Sequence, residues 1–218
     1  MKKSILALVL ISIFLFACSA TPPTQKPNPA VVTYEVLPSE AAFLVPASYF
    51  SQDRILVKLS GFEQYIQNTA SVTFDTTSSK LIIVSWAPFV DIRHIDDPKA
   101  ICAFTSDNIE VCLDVRVVAE IKSVDGASKF VEAYYYSVAP TNKSGLYRAT
   151  DLEDITKTEV YEYINTLSKV VLSHMSSVEV INNQNLIFDK VSGSTGNQFI
   201  QKGISVKVDF GQFVAIRR

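Results

Sequence analysis

Three cysteines stand in this chain of 218 residues, and two of them, Cys102 and Cys112, flank Thr105-Ser106-Asp107-Asn108, a stretch rich in turn formers. If the arms form a hairpin, two registers fit. One sets Cys102 opposite Cys112 as direct cross-strand neighbours, with Cβ atoms about 4.5–5.5 Å apart. The other sets Cys102 opposite Val111, and that slip of one residue sends the two thiols to opposite faces. A disulfide and a pair of buried free thiols both remain open. Other reactive groups are few. His94 lies among carboxylates in Asp91-Ile92-Arg93-His94-Ile95-Asp96-Asp97. Zinc asks for several Cys or His ligands at fixed spacing, and no second His is near, so the stretch reads as a solvated loop. His174 falls at the end of a helical pattern, where a cation suits the helix dipole. No G-x-S-x-G, Walker loop or H-E-x-x-H is present, and Gly193-Ser194-Thr195-Gly196 is too short for a nucleophile elbow. Adjacent carboxylates such as Asp96/Asp97 or Glu153/Asp154 do not by proximity make an acid–base pair. No catalytic constellation, metal site or cofactor site is legible, and the expectation is a protein that is not an enzyme.

The elements that must position these groups change character along the chain. Strand-like runs come first: residues 31–36, 41–45, 54–59, 71–74 and 80–86, with a turn at Pro38-Ser39-Glu40 and another at 75–79. The hairpin arms are 99–104 and 109–122. In the second arm Ile109, Val111, Leu113, Val115, Val117, Ala119 and Ile121 share one face, a period of two that marks a strand with one buried side. Val118 interrupts the polar side. A short helix is expected over 127–136, carrying Phe130, Val131, Tyr134 and Tyr135. Phe130 with Tyr134-Tyr135-Tyr136 reads mainly as core, with one ring left outside. Thr150 and Glu153 have the spacing of a capping box, and the apolar spacing behind them predicts a helix over 151–174. A second helix over 184–202 should be weak, kinked or split at 192–196, because each glycine costs a helix interior about 1 kcal/mol. Gly203 fits its C-cap. Ile204, Val206, Val208 and Phe210 then alternate as a closing strand, with a bulge expected at Gly211 because the apolar phase shifts at Phe213 and Ala215. Strands, then helices, then a last strand, without regular strand–helix alternation, make an α+β pattern.

The third cysteine belongs to the chain start. Lys2 and Lys3 precede residues 5–17, which carry no charge and are almost all apolar. That run is short of the roughly 20 residues a spanning helix needs and suits the apolar part of an export signal. It ends in Leu15-Phe16-Ala17-Cys18, which resembles the bacterial lipobox. The resemblance implies a signal peptide over 1–17, cleavage before Cys18, and a diacylglyceryl group on the Cys18 sulfur with the new amine acylated. Two or more acyl chains hold a protein stably on a bilayer. Ser19 in the next position favours the outer membrane in a double-membrane source. Residues 19–29 carry four prolines and no bulky apolar side chain. With Cys18 they form a tether over 18–30 able to hold a domain some 30 Å from the lipid.

The run from Pro88 to Phe210 resembles an SPFH domain, the fold of stomatins, prohibitins and flotillins. Pro88-Phe89-Val90-Asp91 with Ile95-Asp96 is similar to one family segment. Thr105 to Val115, reading TSDNIEVCLDV, is similar to its central strand, and Lys202-Gly203-Ile204-Ser205-Val206 to its helix-to-strand junction. Pro38-Ser39-Glu40 with Phe43-Leu44-Val45 matches the family's opening. The resemblance implies one α+β domain over 31–218: a mainly antiparallel curved sheet packed on two C-terminal helices, with a closing strand. Three features depart from the family: the sequence ends at Arg217-Arg218 where members usually continue into a coiled coil, 47–79 is longer than the usual link, and 192–196 interrupts a normally regular helix.

Composition narrows the role. Hydrophobic residues at 48% with a net charge of −2 exclude a disordered chain and a binder of nucleic acid, which needs a concentrated basic face. The expected role is that of an envelope lipoprotein on the periplasmic side of the membrane, acting as a scaffold or modulator. The resemblance implies membrane proteins or other SPFH chains as partners, a homo-oligomer among them. The alternative is a binding module that captures an envelope component or an external ligand.

Overall fold

The structure is a computed structural model that describes residues 30–51, 54–55, 64–66 and 70–216. Its strands begin with β1 (Val31–Glu35), β2 (Glu40–Pro46), the short pair β3 (Phe50–Ser51) and β4 (Arg54–Ile55), and β5 (Gln64–Ile66). They continue with β6 (Ser71–Asp75), β7 (Ser79–Ser85), β8 (Phe89–Arg93), β9 (Ile101–Phe104) and β10 (Glu110–Glu120). After helix α1 (Val124–Ala133) come β11 (Ala139–Pro140) and β12 (Leu146–Arg148). Helix α2 (Leu152–Ile155) runs through a π turn, Thr156–Val160, into α3 (Tyr161–Leu172). Next are α4 (Ser177–Asn182), α5 (Gln184–Ile200) and the closing strand β13 (Ser205–Ile216).

The fold is α+β and its sheets are mostly antiparallel, but they are several rather than one. A five-stranded sheet has the order β11-β12-β7-β2-β5, with β12 parallel to β7. A second sheet runs β13-β10-β8, with β9 also on β10. The pair β1–β6 covers one face of the five-stranded sheet. That explains the unbroken run Leu81-Ile82-Ile83-Val84: Leu81 and Ile83 face Val36, Val72 and Phe74, whereas Ile82 and Val84 face the principal core. All four are fully buried, as a strand covered on both sides requires. The principal core gathers Phe43, Leu113, Val115, Phe130, Ile164 and Phe199 from strands and helices alike.

Strand β10 buries the side expected of it, Val111 to Ala119, and pairs with β13 along its whole length. The register between them shifts by one residue between Leu113 and Val115, opposite Gly211. A Cβ on Gly211 would come within 2.7 Å of the Asp114 Cβ, so the bulge packs its extra residue against that side chain.

Three sequence expectations need correction. The helix over 184–202 is not split: α5 is continuous through 192–196. Buried Thr195 Oγ1 donates within the helix to the Val191 carbonyl at 2.7 Å, and Gly193 is exposed. Ser192 and Gly196 face β13, where Ser192 Oγ donates to the Val208 carbonyl at 3.1 Å and a Cβ on Gly196 would stand 3.4 Å from the Val206 carbonyl oxygen. Small side chains there permit close approach rather than breaking the helix. The box expected at Thr150 and Glu153 is absent: Asp151 is the N-cap and makes no side-chain cap bond, while Glu153 pairs with Lys157. A complete capping box instead joins Ser176 and Glu179 at the start of α4, a helix outside the expected set. Finally, Asp91 to Arg93, the first part of the stretch 91–97 read as loop, belong to strand β8 (Phe89–Arg93). The expected strand over 54–59 is described only at Arg54–Ile55, and its remainder lies outside the described residues. No described helix is long and apolar enough to cross a membrane.

Candidate functional site

The hairpin of β9 and β10 positions the two described cysteines. Ile101 and Ala103 on one arm and Val111 and Leu113 on the other face the core. This fixes the register as Cys102 opposite Cys112, since a slip would expose that apolar set. The two sulfurs form a disulfide with the Cα atoms 4.1 Å apart. Cys112 is buried and Cys102 half-buried.

The turn beyond the disulfide is a docking device. The Asn108 amide donates to the Thr105 carbonyl at 2.9 Å, and Asn108 takes a φ of 60°. That region is sterically open to Asn at modest cost. The Asp107 carboxylate reaches α4: it accepts from the Ser177 amide at 2.9 Å and the Ser177 hydroxyl at 2.6 Å, and from Thr105 Oγ1 at 2.5 Å. The Ser177 hydroxyl first, and Thr105 next, hold the Asp107 carboxyl down at about 2. The Ser106 amide donates to the Met175 carbonyl. The polar groups of the turn named here are thus tied to neighbours, and the arrangement fixes the start of α4.

A second polar cluster surrounds Arg93 at the end of β8. Its guanidinium lies 3.4 Å from the centroid of the Tyr161 ring, a cation–π contact. It also donates to the carbonyls of Lys99 at 3.5 Å and Lys157 at 3.4 Å, with Asp91 4.0 Å away. The π turn presents the Lys157 carbonyl, and such turns often mark functional sites. Burial, reinforced by the charge of Asp91, raises the Tyr161 phenol above its ordinary value. An open cleft of about 340 Å³ lies beside Asp91, Arg93, Lys99 and Lys157. A third cluster centres on Glu40, 2% exposed, which accepts from Tyr34 Oη, the Leu37 amide and Arg148 at 2.8, 3.2 and 3.1 Å. Burial first, then the hydrogen bond to Glu40, pushes Tyr34 up to about 12.

The residues singled out from sequence scatter. Cys18 lies outside the described residues. His94 is exposed, with Nδ1 3.6 Å from Asp114, and its amide donates to Asp97 at 2.7 Å. His174 is exposed just beyond α3. Among the described residues no group of three or more His, Cys, Asp or Glu side chains is placed to hold a metal ion. Phe130 and Tyr134 are core, and Tyr136 is the ring left outside, at 67% exposure. Sequence reasoning missed the Asp107–Ser177 tie and the Arg93–Tyr161 stack. The first had a signal, since Ser176-Ser177-Val178-Glu179 has capping-box spacing. The second pairs residues far apart in the chain and had none.

No protein-family model matches the chain, and no curated protein is significantly similar to it.

Proposed function

We propose that this chain is an exported, lipid-anchored envelope protein whose α+β domain, SPFH-like in the order of its elements, serves as a scaffold or modulator of membrane-protein partners without catalysis. The observation that carries the reading is the Cys102–Cys112 disulfide on a core hairpin. Such bonds persist in oxidising compartments outside the cytosol, in accord with the export-signal character of residues 1–17 and with Cys18 at its end. The anchor in this reading is a set of acyl chains on Cys18. The ties at Asp107, Glu40 and Arg93 support a structural role, since each of these three charged side chains is engaged by neighbours. Binding energy for partners comes from apolar faces, because the net charge is only −2 and the sequence holds no strong block of one charge.

The cleft beside Arg93 favours a second reading, a lipoprotein module that captures a small envelope component or external ligand. Crosslinking in intact cells, with identification of attached proteins, tests the first. Membrane proteins recovered in stoichiometric amounts, together with large assemblies of the delipidated protein, support a scaffold. A strict monomer that captures a small molecule favours the module, and turnover abolished by one substitution refutes both.

A further inference from the structure

An unpaired strand offers a row of backbone donors and acceptors, so sheet edges decide what can join a sheet. The two edges of the four-stranded sheet differ. Along β13, helix α5 closes in: Ser192 Oγ donates to the Val208 carbonyl, and a Cβ on Gly196 would stand 3.4 Å from the Val206 carbonyl oxygen. The helix therefore shields the first half of that edge, around Val206 and Val208. Strand β8, by contrast, pairs with β10 alone among the described strands. Its outward side chains do not defend it. Val90 and Ile92 are 47% and 50% exposed, and half-buried Val118 lies opposite Val90 and extends the patch. Neither Lys nor Pro interrupts Phe89–Arg93.

The side-chain pattern of β8 says what fits. Two antiparallel copies related by a two-fold axis normal to the sheet keep their faces, so opposed residues share the same parity. With the axis at Ile92, the Ile92 side chains of two copies meet on the outer face. On the other face Asp91 stands opposite Arg93 of the second copy, and symmetry repeats the pair. Moving the axis to Asp91 would oppose two carboxylates, which destabilises. Moving it to Val90 would oppose Asp91 to Phe89 and bring in Pro88, which has no amide to donate. Arg93 is already held by the Tyr161 ring and two carbonyls, so little side-chain freedom remains to be lost on pairing. We propose that β8 is a homodimerisation edge, on which a second copy of this chain adds its own β8 antiparallel with Ile92 at the two-fold. This goes beyond the scaffold reading and does not depend on the anchor.

The test uses the full chain in membranes of expressing cells. Ile92→Cys should give a reductant-sensitive band at twice the chain mass under mild oxidation, about tenfold stronger than Leu186→Cys, an exposed aliphatic on another element. In detergent, Ile92→Lys should weaken self-association about tenfold or more while its thermal melt stays that of the parent. The proposal is overturned by no dimer from Ile92→Cys, by equal crosslinking at Leu186, by a band at the mass of a different partner, or by unchanged association of Ile92→Lys. None of these failures touches acylation at Cys18 or recovery of membrane partners, so the anchor and scaffold reading is judged separately.

Discussion

Gly203 closes α5 and turns the chain into β13 with a φ of +81°, and it does so against the backbone of α1. A Cβ there would stand 1.9 Å from the Gly126 carbonyl oxygen, 2.8 Å from the Phe130 amide nitrogen and 2.9 Å from the Gly126 carbonyl carbon. All three are main-chain atoms, so no rotamer change relieves them. Left-handed backbone costs a residue with a Cβ about 1–2 kcal/mol. Overpacking adds about 1–3 kcal/mol as the α1 backbone is pushed away. Gly203→Ala should thus lose about 2–5 kcal/mol, a large part of the 5–15 kcal/mol of a typical domain. At about 2–4 °C per kcal/mol for this size, the melting temperature should fall by roughly 10 °C. The comparison variant is Gly193→Ala, in the same stretch of chain. Gly193 has nothing within 4 Å of its Cβ position and lies inside continuous α5. It should gain about 1 kcal/mol from helix propensity and melt a few degrees higher. Circular dichroism melts of both read the contrast. If Gly203→Ala melts within about 2 °C of the parent, the close approach of α1 to the α5–β13 junction is wrong. If Gly193→Ala melts lower, so is the continuous helix.

Reduction of the disulfide, or Cys102→Ala with Cys112→Ala, should lower stability by about 2–3 kcal/mol, because the bridge closes a loop with a separation of only 10 residues. Urea unfolding with and without reductant reads the shift, and coincident curves would contradict the bond. Asp107 has its pKa depressed in the folded state, so its contribution is complete above the ordinary carboxylate value near 4 and drains as pH falls towards about 2. Asp107→Asn should therefore flatten the acid limb of stability against pH and loosen α4, seen as faster amide exchange at Ser177. An unchanged acid limb would mean the tie to α4 carries no stability.

Much of the fold is legible in the sequence because burial imposes a period. The alternation over 109–122 locates β10 and its buried face, and the phase change at Phe213 locates the bulge at Gly211. Where burial is two-sided or the element short, the period fails. Strand β8 shows alternation over only five residues, and its last three fall in the stretch 91–97 that reads as loop. The stretch 192–196 misled for a different reason: propensity counts a glycine as a break, whereas packing against β13 accepts small residues at Ser192 and Gly196, and the helix runs on through exposed Gly193. The π turn at Thr156–Val160 has no composition signature. The ties at Asp107 and Glu40 join residues 70 and 108 positions apart, a separation that no local pattern reports.

The most direct measurement is metabolic labelling with palmitate, comparing the parent chain with Cys18→Ala in growing cells. Thioether-linked acyl chains at Cys18 predict label in the parent, none in the variant, and a variant released from the membrane fraction. Equal label in both proteins would contradict the anchor, and with it the location outside the cytosol and the role assigned there.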